Sequence, residues 1–150
     1  MKATELMIGD LVRITEPDRY AGAPCIIRSL MYHQEDDGAY FHVFINGGAK
    51  FGFTSKEVFS EDLEPIALSR LHLIKNGFKA IDVEDTIFVY KDNSCTIKVI
   101  FNIGVPEMFV PSSIMLQIEG ADFDLCKGIE SVHELQHVLR LFDIEKEIAL

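Results

Sequence analysis

The residues that most suggest chemistry form the string H-E-L-Q-H at positions 133–137. In the pattern H-E-x-x-H, two histidines four residues apart lie on one face of a helix and can share a zinc ion. The glutamate between them can take a proton from zinc-bound water. Asp143 stands where the third ligand follows in one class of zinc proteases. The string therefore allows a zinc-dependent hydrolase, with His133, His137 and Asp143 as ligands and Glu134 as the base.

The surrounding sequence favours a structural role for this string. Arg140 replaces the glycine that turns the chain back towards the metal in those proteases, so the apolar spacing continues the helix through Phe142. Residues 144–150 contain no methionine to form the turn beneath such a site. Ser131 and Glu134 have the spacing of a capping box at the start of a helix. We therefore expect surface residues on an amphipathic helix, while a weak two-histidine metal contact stays open.

The first part of the chain, residues 1–66, predicts a small antiparallel β-barrel of the SH3-like kind. Short apolar runs alternate there with turn signals, which is typical of such barrels. The opening Ile8-Gly9-Asp10-Leu11-Val12 resembles the way such barrels begin. The predicted strands cover residues 8–14 (with a leading turn), 25–32, 40–45, 51–53 and 63–66.

The second part, residues 67–150, predicts a helix, a small antiparallel sheet and a C-terminal helix. Ser69 is a suitable N-cap for the first helix, and Asn76-Gly77 should end it because glycine readily adopts a left-handed conformation. Strands are predicted over residues 86–90, 95–101 and 114–118, and the last helix over 132–142. The fold class is therefore α+β, with the two parts packed as one compact unit.

Aromatic residues crowd into the predicted barrel. Exposed aromatics on small barrels commonly form a groove for a peptide or a nucleic-acid strand, whereas buried ones fill the core. Since strand neighbours face opposite sides, at least one of Tyr40 and Phe41 should face away from the barrel core. The candidate binding residues are Tyr32, Tyr40, Phe44, Phe51 and Phe53.

Composition limits the partners. The 150 residues predict one domain or two small ones, and they carry 24 Asp and Glu against 14 Lys and Arg, a formal net charge of −10. This charge argues against binding duplex DNA by neutralising phosphates, so we expect no nucleic-acid partner. The hydrophobic fraction of 48% argues against disorder. No run approaches the roughly 18 apolar residues of a membrane span, so we expect no membrane partner.

The cysteines predict a reducing compartment. Cys25, Cys95 and Cys126 are odd in number and contain no C-x-x-C pair, which favours free thiols. The first residues lack the long apolar stretch of a secretory signal. We therefore expect a cytoplasmic protein in which Cys25 and Cys95, which lie in apolar runs, act as small buried hydrophobes.

Three blocks of sequence resemble a family of short uncharacterised proteins of gut Bacteroidetes, often carried on phage-like or mobile elements. The blocks are K-A-T-E-L-M-I-G-D at the start, L-E-P-I-A-L with K-N-G-F in the middle, and V-H-E-L-Q near the end. The tail departs from the family pattern, because His137 stands for the usual Asn and Val138-Leu139 for Leu-Tyr. The resemblance implies a fold and a genomic setting, and it gives the H-E-x-x-H string a non-metal origin.

These observations predict a non-enzymatic binding module that needs no cofactor and recognises a protein, a peptide or a host factor. The first alternative is the zinc-dependent hydrolase described above. The second is an acidic decoy that imitates nucleic acid and titrates a DNA-binding protein, which the net charge permits.

Overall fold

Two five-stranded antiparallel sheets form the framework of the chain, as seen in a computed structural model. The chain divides into an N-terminal unit, Met1–Ile66, and a C-terminal unit, Ala67–Leu150, with one sheet in each. Together with two helices in the second unit, the sheets confirm the α+β class. The structure describes residues 1–2, 5–15, 20–35, 38–47, 55–91, 95–101, 111–118, 121–127, 129–144, 146 and 148–150.

The sheet of the N-terminal unit has the order β4-β3-β2-β1-β5. Its strands are β1 (Leu11–Ile14), β2 (Pro24–Glu35), β3 (Gly38–Asn46), β4 (Lys56–Phe59) and β5 (Leu63–Pro65), and a 3₁₀ turn, Ser60–Asp62, joins the last two. Within the described residues β4 and β5 are the two edges, so these pairings do not close the sheet into a barrel. Pro65 suits an edge, because it has no N–H to donate to a further strand.

The core of the N-terminal unit lies on one face of this sheet. Side chains alternate between the two faces of a strand, and the apolar positions on the inner face are buried. Asp10 lies directly before β1. Its side chain is fully buried and accepts a hydrogen bond from the Met7 N–H at 2.7 Å. The buried core residues are Leu6, Val12, Ile14, Ala23, Cys25, Ile27, Val43, Ile45, Val58 and Leu63.

A β-bulge interrupts the pairing of β2 with β3. Ile27 pairs with Ile45, but the next pair is Ser29 with Phe44, so Arg28 is an extra residue on β2. A one-residue shift moves all following side chains to the other face of the strand. Cys25 and Ile27 therefore face the core before the bulge, whereas Leu30 packs against the core after it.

The sequence located four of these five strands. The predictions at 8–14, 25–32, 40–45 and 63–66 correspond to β1, β2, β3 and β5. The predicted strand at 51–53 lies outside the described residues. The structure places a strand that we did not predict at Lys56–Phe59, whose charged residues Lys56 and Glu57 weaken the sequence signal for a strand.

The C-terminal unit carries the sheet β10-β9-β8-β7-β6 and two helices. The elements are α1 (Arg70–Lys75), β6 (Lys79–Ala80), β7 (Ile87–Lys91), β8 (Thr96–Phe101), β9 (Pro111–Ile118), β10 (Ala121–Lys127) and α2 (Val132–Leu141). These confirm both predicted helices and the predicted strands that correspond to β7, β8 and β9. We did not predict β6 and β10, because β6 has two residues and β10 contains Asp122 and Asp124, which are unfavourable in strands.

Both helices begin and end in the same way. Ser69 and Ser131 are the N-caps, and each forms the predicted kind of capping box, with His72 in α1 and Glu134 in α2. Each helix ends in a Schellman motif, in which the residue after the C-cap is left-handed. That residue is Gly77 (φ 78°) in α1 and Asp143 (φ 58°) in α2. The Ile144 N–H completes the second motif by donating to the Leu139 carbonyl at 3.0 Å.

The segment that follows α2 is bound to the end of α1. The side-chain amide of Asn76 is buried and pairs with the backbone of Ala149, since Nδ2 donates to its carbonyl at 2.9 Å and Oδ1 accepts from its N–H at 2.9 Å. Lys146 donates to the Asn76 carbonyl, and its Nζ lies 4.3 Å from the centre of the Tyr90 ring. These contacts hold the buried side chains of Ile144 and Ile148 in place.

The two Schellman motifs predict opposite effects of substitution. Asp143→Gly should raise the free energy of unfolding by about 0.5–1 kcal/mol, because a left-handed backbone is unfavourable for residues with a Cβ. Gly77→Ala at the matching position of α1 should lower it by about 1–2 kcal/mol. Urea unfolding followed by circular dichroism measures both, and changes of the same sign would contradict this interpretation.

Candidate functional site

The H-E-L-Q-H string forms part of the start of α2. The ring centroids of His133 and His137 lie 5.6 Å apart in an edge-to-face contact. His133 is only 5% exposed, and its Nδ1 lies 2.9 Å from the hydroxyl oxygen of Ser131. The prediction that these are surface residues is therefore wrong for His133 and also for Gln136, which is 6% exposed.

Glu134 is occupied by the cap. Its Oε2 accepts hydrogen bonds from the Glu130 N–H at 2.8 Å, the Ser131 N–H at 2.9 Å and the Ser131 hydroxyl at 2.8 Å. A carboxylate oxygen that accepts three hydrogen bonds satisfies donors at the helix start that would otherwise lack partners. The geometry thus gives Glu134 a structural role in the helix cap, whereas the hydrolase alternative requires it as the catalytic base.

Asp143 lies at the opposite end of α2 from His133. The helix ends at Leu141, and the Asp143 N–H donates to the Arg140 carbonyl at 3.1 Å within the Schellman motif. Across the residues that the structure describes, no group of three or more His, Cys, Asp or Glu side chains is arranged to hold a metal ion.

Cys25 and Asp82 have clearly shifted pKa values, and each shift has a structural cause. Burial raises the pKa of Cys25 to about 12, and its Sγ donates to the Val12 carbonyl at 3.6 Å. Its thiol is therefore protonated at neutral pH and is a poor nucleophile. Cys25 and Cys95 are both free and buried, which confirms that they act as small hydrophobes, while the side chain of Cys126 lies outside the described part.

Asp82 closes the turn between β6 and β7. Its carboxylate accepts from the Thr86 hydroxyl at 2.5 Å and from the backbone N–H groups of Thr86 and Ile87. These bonds, above all the one from the Thr86 hydroxyl, lower the pKa of Asp82 from 3.8 to about 2. The shift follows from turn geometry and identifies no reacting group.

The exposed surface of the β2–β4 hairpins is the best candidate for a functional site. We use "outer face" for the side of these strands opposite the core. In register, Met31 lies opposite His42, and His42 lies opposite Phe59, so these three side chains form one row across three strands. The outer face comprises Ser29, Met31, His33, His42, Phe44, Glu57 and Phe59.

Apolar side chains on the outer face are accessible to solvent. Met31 is 45% exposed and Phe59 is 44% exposed. The His42 ring lies between two others, with its centroid 4.7 Å from that of His33 and 5.0 Å from that of Phe59. Nδ1 of His42 also contacts Oε1 of Glu57. The outer face therefore combines exposed apolar groups, rings in tilted and edge-to-face contact, and a carboxylate.

The structure describes the side chains of two of the five predicted aromatic residues. Phe44 belongs to the outer face and is half-buried. Tyr32 is 56% exposed but alternates with Met31 and His33, so it lies on the opposite face of the hairpin. Phe51, Phe53 and the side chain of Tyr40 lie outside the described part of the chain. Sequence reasoning missed Met31, His33, His42, Glu57 and Phe59 as a group, because the register of three strands and the bulge in β2 together bring them to one face.

Comparisons of the chain with protein-family models, with curated proteins and with solved structures found no match. Among the described residues, neither α1 nor α2 has the length and apolar character needed to cross a membrane.

Substitutions of Glu134 should show whether this residue acts in the helix cap. Glu134→Ala should lower the free energy of unfolding by about 1 kcal/mol, because it removes the acceptor for three donors. Glu134→Gln should retain most of the stability, since its amide oxygen can still accept. Chemical unfolding of both variants tests this, and equal stability of Glu134→Ala and the parent protein would contradict the capping role.

Elemental analysis of protein purified without chelator provides the matching control. We expect no stoichiometric zinc, because His133 is buried with its Nδ1 beside the Ser131 hydroxyl and Asp143 lies at the other end of α2. About one zinc per chain, lost in the double variant His133→Ala/His137→Ala, would instead support the hydrolase.

The pKa of Asp82 predicts an acid-sensitive part of the stability. Because its pKa is lower in the folded state, ionised Asp82 stabilises the fold fully above about pH 4, and this contribution is lost as the pH falls through about 2. Asp82→Asn should flatten the pH dependence of the free energy of unfolding in this window. Urea unfolding at a series of pH values measures it, with Glu84→Gln in the same turn as the control. A parent-like acid slope in Asp82→Asn would contradict the assignment.

Proposed function

We propose that this protein is a non-enzymatic binding module that recognises a protein or peptide partner through the outer face of its N-terminal unit. The observation that carries the proposal is the row Met31, His42 and Phe59, whose two end members are almost half exposed. Large apolar groups that are clustered, rather than scattered singly, commonly mark interaction sites. Aromatic residues and methionine are also the types that interfaces favour.

The architecture of the N-terminal unit supports the same proposal. The order β4-β3-β2-β1-β5, with a 3₁₀ turn between β4 and β5 and an antiparallel β1–β5 pair, is the strand order of SH3-like barrels. We therefore propose that this unit is an open relative of such barrels. Folds of this kind serve many unrelated functions, so the strand order supports a binding role only together with the outer face.

We also propose a genomic origin and a cellular compartment for this protein. The three sequence blocks shared with the Bacteroidetes family suggest an origin on a phage-like or mobile element, and the free buried cysteines fit a reducing cytoplasm. The acidic-decoy alternative rests on the net charge of −10 alone. The outer face, by contrast, offers apolar contact area in addition to charge.

The proposal is tested by measuring which proteins the parent chain and its variants retain. Met31→Ala/Phe59→Ala should abolish retention of proteins that the parent chain binds, because it removes the exposed apolar area of the row. Leu71→Ala/Ile74→Ala removes a similar exposed area on α1 and should leave retention unchanged. Quantitative mass spectrometry of bound proteins measures both variants, after thermal unfolding has shown that they fold. Loss with the α1 variant and retention with the outer-face variant would contradict the proposed site.

A further inference from the structure

We infer that the outer face binds an arginine side chain within a basic peptide segment, with the guanidinium laid against Phe59 and paired with Glu57 and Glu61. The inference rests on the proposed function, because it names the partner of the same surface. The proposed partner is a polypeptide that carries an apolar residue near the arginine.

Phe59 provides the aromatic surface for the guanidinium. This residue ends β4, and its ring meets the His42 ring edge-on, with interplanar angle 85°. Close to half of Phe59 stays accessible to solvent. Guanidinium groups stack on aromatic faces and are less strongly hydrated than ammonium groups. The exposed ring of Phe59 is therefore better suited to arginine than to lysine.

Carboxylates lie on both sides of Phe59 along the chain. Glu57 precedes it by two residues on β4 and so shares its face, and the Glu57 side chain is 46% exposed although its Oε1 contacts Nδ1 of His42. Glu61 lies on the 3₁₀ turn that directly follows and is exposed. Asp62 fixes this turn, since its Oδ2 accepts from the Phe59 N–H at 3.2 Å. A planar guanidinium can pair with such carboxylates through two parallel hydrogen bonds.

The charge of the N-terminal unit favours a cationic partner. Residues 1–66 contain 11 Asp and Glu against 6 Lys and Arg, so a basic segment is attracted to the unit and an acidic one is repelled. Met31, at the other end of the row, offers a flexible apolar surface for a neighbouring side chain of the partner. Arginine next to a leucine-like residue thus fits both ends of the row.

Fluorescence anisotropy with three labelled peptides of the same length tests the inference. The first carries leucine and arginine in a glycine–serine background, the second replaces each arginine by lysine, and the third by glutamine. The arginine peptide should bind most tightly, the lysine peptide several-fold more weakly, and the glutamine peptide most weakly. Phe59→Ala and Glu57→Gln should each weaken binding of the arginine peptide about two- to fivefold. Leu71→Ala and Glu84→Gln, which make the same kinds of change on the C-terminal unit, should leave it unchanged.

The outcomes separate this inference from the proposed function. Equal binding of the arginine and lysine peptides, or binding unaffected by Phe59→Ala, would overturn the arginine site. If the glutamine peptide bound as tightly as the arginine peptide and Phe59→Ala abolished both, the outer face would still be a binding surface, but the inference about charge would be wrong. Failure of all three peptides to bind would overturn the inference, while the retention experiment would decide the proposed function separately.

Discussion

The extra residue at Arg28 decides which side chains in the second half of β2 lie on the outer face. Strand side chains alternate with a period of two, so a single added residue exchanges the two faces of everything beyond it. Odd-numbered positions such as Ile27 face the core before the bulge, whereas Met31 and His33 lie on the outer face after it. The candidate binding surface therefore depends on one irregularity in hydrogen bonding, and the composition of β2 alone does not determine it.

The C-terminal unit shows how position decides the use of a residue type. In the order H-E-x-x-H, two histidines on an exposed helix face can hold zinc and the glutamate can act as the base, but here His133 and Glu134 lie in the first turn of α2. Donors at a helix start need acceptors, and Glu134 supplies one oxygen to three of them. A catalytic base and a helix cap would need the same carboxylate, and here the Ser131 hydroxyl donates to it as part of the cap.

Local signals in the sequence were enough for much of the fold. The capping box at Ser131, the left-handed Gly77 and the apolar run around Cys25 each depend on neighbours within a few residues, and all were predicted. The strand β4 was missed because the charged residues Lys56 and Glu57 are typical of protected sheet edges rather than of apolar strands. The outer face was missed for a different reason: assembling Met31, His42 and Phe59 requires the register of three strands and the position of the bulge, which no local pattern contains.

The pairing of β1 with β5 has a consequence for how the protein is made. Val12 lies between Cys25 and Pro65, so β1 acquires its second neighbour only after almost the whole N-terminal unit has been synthesised. Contacts between residues so distant in sequence slow folding. Until Leu63 is in place, the nascent chain presents an apolar strand with an unpaired edge, which is the kind of surface that aggregates and that chaperones cover.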